Sequence, residues 1–381
     1  MNAFVTGAAT TKFGELWGIS PRTLAREAFD GALEDSGVSR GRIEALFVGN
    51  MLSGLLGGQE HLGALFAEEL GLNGVPAFHI EGACASGGLA VHEAVSSIRS
   101  GQYKTVAVLG VEKMTDYKPE VVSTALMGAG SDEERAAGAT FPGLYAILAR
   151  SYMRKYGVTG KQLASVSVKN HFHASLNPNA QFRNILTIEA VMKSPLVADP
   201  LKLLECSPVS DGAAALIITG IGSGNPVEII ASEVATDSLG LAQRGSLTEL
   251  KATQIASRKA CEKAGLEPAD IDVAEVHDCF SIAEILALED AGFFAKGEAG
   301  NAILKGKLTL GVSKHLVVNT SGGLKGAGHP VGATGVKQIA EVVGQLRGFA
   351  GNRQVKNARV GLTQNVGGSG ATAVIHILKK I

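Results

Sequence analysis

The chain has 381 residues, enough for two or three domains or for one domain duplicated. Its 35 Lys+Arg nearly balance 36 Asp+Glu, a net charge of -1, which excludes the basic field of a dedicated nucleic-acid binder. Apolar residues at 45% with charged residues at 19% exclude a disordered chain, and 11 prolines without a three-residue glycine period exclude a collagenous one.

In chain order, the N-terminus reads as a strand entering a loop at Gly7. It has no basic leader followed by a long apolar stretch, and no window reaches the ~20 apolar residues that cross a bilayer. The four cysteines, Cys84, Cys206, Cys261 and Cys279, show no C-x-x-C spacing. A reduced, cytoplasmic setting without membrane or nucleic-acid partners is therefore expected.

Ala28, Ala32, Gly37 and Ile43 recur as Ala256, Ala260, Gly265 and Ile271, each pair 228 residues apart. Each stretch predicts a helix closed by glycine, then a strand, Ala45–Val48 or Val273–Val276. A second match sets Gly87–Arg99 against Gly335–Arg347 at an offset of 248. Apolar strands follow both, Thr105–Leu109 and Ala358–Thr363. The shared order predicts a duplicated α/β protein with mostly parallel strands covered on both faces. Between the halves, residues 112–205 have more proline and polar runs and read as an insertion folding over the first half as a lid. The expected division is 1–111 with 206–224, the insertion 112–205, and 225–381.

Four places bear chemistry. Cys84, in Glu81-Gly82-Ala83-Cys84-Ala85-Ser86-Gly87, stands between a strand end and a helix start. A helix N-terminus lowers a thiol pKa, which suits a nucleophile; a buried structural cysteine is the competing reading. At the next strand end, Glu275-Val276-His277-Asp278-Cys279-Phe280 offers a proton shuttle, with zinc ligation by His277, Asp278 and Cys279 or a plain turn as alternatives. The Gly-rich run Ser321–Gly335 lacks the Gly-Lys-Ser/Thr of a phosphate loop. It places His329 where Cys84 stands in the first half, as a base meeting its nucleophile or as a structural histidine. Gln364-Asn365-Val366-Gly367-Gly368-Ser369-Gly370 reads as an oxyanion-binding backbone or a glycine turn. His171 and His173 read as a solvated helix face or substrate contacts rather than a metal site, and Cys206 and Cys261 as structural.

Taken together, these motifs resemble the thiolase superfamily over essentially the whole chain. Ala83-Cys84-Ala85-Ser86-Gly87 resembles its acyl-accepting loop and Gly328-His329-Pro330 its Gly-His-Pro loop. His277-Asp278-Cys279-Phe280 is similar to the variant motif of sterol-carrier-protein-2-type and archaeal thiolases, where other members have Asn-Glu-Ala-Phe. Gly110–Asp116 and Ser210–Ala214 add to the archaeal likeness. The chain departs from ordinary members at Asn365-Val366-Gly367, where they carry Cys-x-Gly.

The resemblance implies the duplicated thiolase fold, βαβαβαββ repeats layered α-β-α-β-α with a loop domain. It implies reversible cleavage of a 3-oxoacyl-CoA through an acyl group on Cys84. His329 would activate the thiol, Cys279 would take the acid/base role of the missing second cysteine, His277 would orient donors at the enolate oxygen, and Gly367 would keep a backbone oxyanion role. Coenzyme A is a substrate, with no tightly bound cofactor and no metal. The substrate reads as acetoacetyl-CoA or a larger aromatic one such as benzoylsuccinyl-CoA. A C-acyltransferase with a non-CoA acceptor and a non-catalytic acyl-CoA-binding scaffold are the rivals. Implied partners are a second copy, in a homodimer or higher oligomer, and a small zinc-ribbon/OB-fold accessory protein.

Overall fold

The computed structural model describes residues 1–381, and ten strands form one continuous sheet. The first half contributes β1 (Phe4–Thr10), β2 (Ala45–Gly49), β3 (Ala77–Ile80), β4 (Thr105–Glu112) and β5 (Gly212–Thr219). The second contributes β6 (Val227–Thr236), β7 (Val273–Glu275), β8 (Val317–Val318), β9 (Val360–Gly367) and β10 (Thr372–Lys380). The order is β8-β7-β9-β10-β6-β1-β5-β4-β2-β3, so each half reads outward from the β1–β6 seam in the same sequence. At the seam Phe4 faces Glu228 and Val5 faces Val227.

The expectation of mostly parallel strands does not hold. β2 is parallel to β3 and β4, and β7 to β8 and β9, but the five pairings β4–β5, β5–β1, β9–β10, β10–β6 and β1–β6 are antiparallel. Each half ends by sending its last strand back beside the preceding one. In the second half the short turn Gly368–Ala371 makes that return, and a short turn can only make an antiparallel pair.

The main helices are α1 (Pro21–Ser36), α2 (Ser86–Arg99), α3 (Phe141–Tyr156), α4 (Gly160–Ser175), α5 (Lys251–Ala264), α6 (Ser281–Asp290) and α7 (Thr334–Arg347). The repeat is visible in how α1 and α5 stop: Gly37 and Gly265 both adopt the left-handed conformation, at φ 65° and 64°. Strand alternation then sorts the layers. Phe47, Val108 and Leu216 face inward, onto Val91 and Val95 of α2 and Val336 and Ile339 of α7. Leu46, Leu109 and Ala215 face outward onto Leu24, Ala28 and Phe29 of α1. In the second half Leu362 and Ile375 pack outward with Ala256 of α5 and Ile285 of α6. The five layers are thus helix, sheet, paired helices α2 and α7, sheet, helix.

The two middle helices cross with their backbones in contact. A Cβ on Gly335 would lie 2.2 Å from the Gly88 N, and one on Gly87 would lie 2.7 Å from the Gly332 O. Glycine is required here for close approach, and the approach brings the Cys84 and His329 corners together.

The insertion does not lie over the first half alone. Its helix Pro119–Leu126 packs there, with Val122 beside Leu52 and Met114. Helices α3 and α4 instead pack on the second half, where Leu144, Leu148, Leu163 and Val166 join Ile282, Ile285 and Leu286. The reason is that α6 is buried along its whole length and needs apolar cover on the side away from the sheet. A buried Lys169–Glu284 ion pair at 3.0 Å anchors the contact. No helix is long and apolar enough to cross a membrane.

Candidate active site

The chemistry-bearing residues gather beyond the C-terminal ends of β3, β7, β8 and β9, where ligands bind in open α/β sheets. A cavity of about 190 Å³ is lined by Cys84, Cys279, His329, Tyr145 and Gly368 together with the apolar Met114, Val122 and Phe141.

Cys84 occupies a tight turn whose preceding residue, Ala83, holds φ 54°, a strained value for a residue with a Cβ. Local hydrogen bonds impose it. The Ala83 N–H donates to Glu81 Oε1 at 2.6 Å, the Gly82 N–H to Ser86 Oγ at 3.0 Å, and the Ser86 hydroxyl to the Ala83 carbonyl at 2.6 Å. The thiol is not activated at rest. Burial pushes it up to about 12, opposed by the N–H groups of Gly368 and of Cys84 itself and reinforced by the nearby Glu112 carboxylate. The expected helix-terminus activation is outweighed because desolvation exceeds the helix field.

His329 is buried, and burial together with neighbouring His277 and Lys337 holds its imidazole well below the usual range. Its tautomer follows from hydrogen-bond accounting. Thr334 Oγ1 donates its single proton to the Pro330 carbonyl at 3.0 Å, so at 2.7 Å it must accept from His329 Nδ1–H. Nε2 is left with its lone pair. Nitrogen and sulfur ligand atoms of Cys84, His277 and His329 lie within 4.8 Å of one another, and the two imidazoles stand edge to face at 5.0 Å.

His277 takes the opposite tautomer. The Gly88 N–H donates to Asn365 Oδ1 at 3.1 Å, which turns the Asn365 amide nitrogen toward the Cys84 carbonyl at 3.0 Å and His277 Nδ1 at 3.3 Å. Nδ1 therefore accepts, and Nε2–H is a buried donor with no protein partner. Burial lowers the His277 pKa to about 4, so the ring is neutral at pH 7.

Asp278 leaves the cluster. Its carboxylate accepts from the Leu324 N–H at 2.6 Å and from Asn170 Nδ2 at 2.6 Å, so the His277–Asp278–Cys279 zinc reading is not assembled. Cys84, His277 and His329 do present donor types that zinc accepts. Cys279 is buried, which raises its thiol above the usual range, and it shares the cavity wall with Tyr145, whose nearby phenol acts against that shift.

Gly367 is not on the cavity wall. It is the last residue of β9 and backs onto the Gly82 carbonyl, 2.4 Å from where a Cβ would be. The peptide that faces the Cys84 sulfur is one residue on, at Gly368. His171 and His173 are buried ties, neither solvated nor lining the cavity. His173 bonds the Asn319 carbonyl and the Leu310 N–H, both at 3.0 Å, and His171 the Asn184 carbonyl at 3.2 Å. Cys206, expected to be structural, lines the cavity.

Asn365 entered the sequence reading only as part of a glycine-rich run, and Tyr145 and Glu112 had no part in its site. Glu112 accepts from Asn50 Nδ2 at 2.8 Å and from the N–H groups of Met51, Leu52 and Gly332 at 3.0–3.2 Å, tying the loop after β2 to the loop that carries His329. A carboxylate at the end of an apolar, fully buried strand was the available signal for it.

The arrangement also has known counterparts. The model of the Thiolase, N-terminal domain family matches residues 3–220, and that of the Thiolase C-terminal domain-like family matches 234–380. The solved structure of an Ltp2-ChsH2(DUF35) aldolase has the same fold, with a TM-score of 0.84 at 24% identity over 100% of this chain and 98% of that one. An acetyl-CoA acetyltransferase of Methanothermobacter thermautotrophicus is 49% identical over 99% of both chains. The benzoylsuccinyl-CoA thiolase subunit BbsB of Thauera aromatica is 34% identical over 96% of this chain and 94% of its own. The five-layer duplicated architecture is the thiolase fold. The chain belongs to the thiolase family, and it is an acyltransferase of that type.

Proposed function

We propose that the chain is an acetyl-CoA acetyltransferase that cleaves acetoacetyl-CoA with coenzyme A, and runs the reverse condensation, through an acyl group on Cys84. The observation that carries the reading is the convergence of two thiols, Cys84 and Cys279, on one buried cavity with the neutral imidazole of His329. The 49% identity to an archaeal acetyl-CoA acetyltransferase, against 34% to the benzoylsuccinyl-CoA subunit, supports the short substrate over the aromatic one.

In the cleavage direction, His329 Nε2 takes the Cys84 proton as the sulfur attacks the 3-oxo carbon. A thiol held near 12 is then ionised only as it attacks. The N–H groups of Gly368 and Cys84 stabilise the resulting oxyanion. The carbon–carbon bond breaks, the Cys279 S–H protonates the enolate carbon, and acetyl-CoA leaves. His277 Nε2–H is the donor for the enolate oxygen. Incoming CoA–SH gives its proton to the Cys279 thiolate and attacks the Cys84 thioester. Cys84 departs and recovers its proton from the His329 imidazolium, so both thiols end as they began.

Incubation with acetyl-CoA followed by mass spectrometry tests the reading: Cys84 should carry an acetyl group, and Cys84→Ser should carry none. A chain that binds acetyl-CoA and stays unmodified is a scaffold. One that acetylates Cys84 but releases the acyl group only to a non-CoA acceptor is a different C-acyltransferase.

Two partners belong to the reading. The edge strand β3 has no neighbour on its outer side and leaves Phe78 42% exposed, which supports a homodimer that continues the sheet. No Lys or Arg lines the cavity, and the aldolase neighbour pairs with a DUF35 protein; both support an accessory subunit completing the CoA site. Sizing chromatography should give at least a dimer, and adding the accessory protein should raise turnover.

A further inference from the structure

We propose that Tyr145 is a positioning residue for the carbon-acid step: its hydroxyl holds the Cys279 thiolate while a proton moves between sulfur and the carbon beside the thioester. The proposal rests on the acyl-transfer reading above.

Tyr145 comes from α3, in the insertion, and is among the largest fully buried side chains. Its ring stacks on Phe280, the residue after Cys279, with centroids 4.6 Å apart and planes at 29°. Its hydroxyl donates to the Gly368 carbonyl at 3.1 Å, and Tyr145 and Cys279 line the same cavity with side chains close enough to interact. A phenol has one proton and spare lone pairs, and here two groups compete for that proton. While Cys279 is a thiol, its S–H can donate to the phenol oxygen and the phenol O–H to Gly368. Once Cys279 is a thiolate it has nothing to donate, and the phenol proton turns to the sulfur. Rotation about the C–O bond redirects it from the Gly368 carbonyl toward the neighbouring sulfur on the same cavity wall.

The site needs such a donor. Burial, the Cys84 sulfur and Asp278 all disfavour the Cys279 thiolate, which the carbon-acid step must form; Tyr145 acts in the other direction, and Lys325 adds a weaker effect. Burial and Cys279 raise the phenol itself well above its ordinary range, so Tyr145 stays a donor and does not become the base. The proton account of the reaction is unchanged: Cys279 gives and regains one proton, and Tyr145 keeps its own.

The test is Tyr145→Phe, which retains the stacking ring. Two half-reactions are read separately: acetylation of Cys84 by mass spectrometry, and exchange of the acetyl-CoA methyl protons in D₂O by NMR. Loss of a hydrogen bond to a buried charge predicts that exchange and turnover fall about 10- to 100-fold, with acetylation changed less than about threefold. Exchange within about threefold of wild type overturns the proposal. So does an equal loss of acetylation and exchange, which would assign the hydroxyl to the Gly368 peptide. In a Cys279→Ala background the same substitution should lower residual turnover no further, and a further loss there also overturns it. If wild-type Cys84 is never acetylated, the acyl-transfer reading fails and takes this proposal with it; acetylated wild type with normal exchange in Tyr145→Phe sinks the tyrosine alone.

Discussion

The two residues at the heart of the site have opposite relations to their local sequence. Cys84 sits at a helix start, where a field worth up to ~2 kcal/mol favours a thiolate. Burial overrides it and leaves the thiol near 12. Below that pKa the thiolate fraction rises tenfold per pH unit. Alkylation of Cys84 by iodoacetamide without substrate should therefore accelerate about tenfold per unit from pH 7 to 10. A rate that levels off by pH 8, read by peptide mass spectrometry, would contradict the resting-thiol assignment. Asn365 has the reverse history. No local pattern marks it as a site residue, yet its amide joins the Cys84 carbonyl, His277 and the Gly88 N–H. Asn365→Ala leaves the Cys84 carbonyl and the Gly88 N–H without their partner. It should lower stability by about 1–3 kcal/mol and turnover by at least about tenfold. Urea unfolding and steady-state rates check both, and turnover within threefold of wild type would remove Asn365 from the site.

At the level of elements, the insertion splits its duties. The helix Pro119–Leu126 sets Val122 into the cavity wall beside Met114, while α3 supplies Tyr145. The first contact shapes space and the second stands beside the Cys279 thiol on the cavity wall, so this segment is not only a lid. Val122 is 1% exposed, and Val122→Ala adds room for about two methylenes on the wall. One methylene in a pocket is worth about 1–3 kcal/mol. The variant should raise the preference for 3-oxohexanoyl-CoA over acetoacetyl-CoA by roughly tenfold, measured as the ratio of kcat/KM values. An unchanged ratio would place the acyl pocket elsewhere.

Across the whole molecule, the nearly balanced net charge conceals an acid liability in the interior. His173 and His376 are lowered by burial to about 3 and His277 to about 4, so all three fold as neutral rings. The unfolded chain binds protons at these groups below about 6.5 while the folded chain does not. Stability is therefore lost as pH falls from 6.5 toward 4, by up to about 2 kcal/mol per histidine at pH 5. The Tm should drop steadily between pH 6.5 and 5. A flat profile there would mean that carboxylates gaining protons in the native state offset the effect. Two of these rings lie at the junction of the halves: His376 bonds the Gly88 carbonyl of α2 at 3.2 Å, and His277 the Asn365–Cys84 bridge. Acid should accordingly loosen the active site first.

Sequence alone determined the duplication, the strand-to-helix corners at Cys84 and His329, and the helix stops at Gly37 and Gly265. All of these are written in short-range pattern: apolar period, a terminating glycine, a cysteine or histidine between a strand and a helix. What only the tertiary structure decided depends on pairs far apart in the chain. Asn365 reaches Cys84 across 281 positions and Tyr145 reaches Gly368 across 223. The shift from Gly367 to Gly368 turns on which face of a β9 terminus meets the cavity. The predominance of antiparallel pairing depends on where each half's last strand returns in the sheet, and the seating of α3 on the second half on which apolar face lacked cover. Periodicity states which side of an element must be buried, not what will bury it. The pKa of a thiol follows the same logic, because helix position is local while desolvation is set by everything that closes over the sulfur.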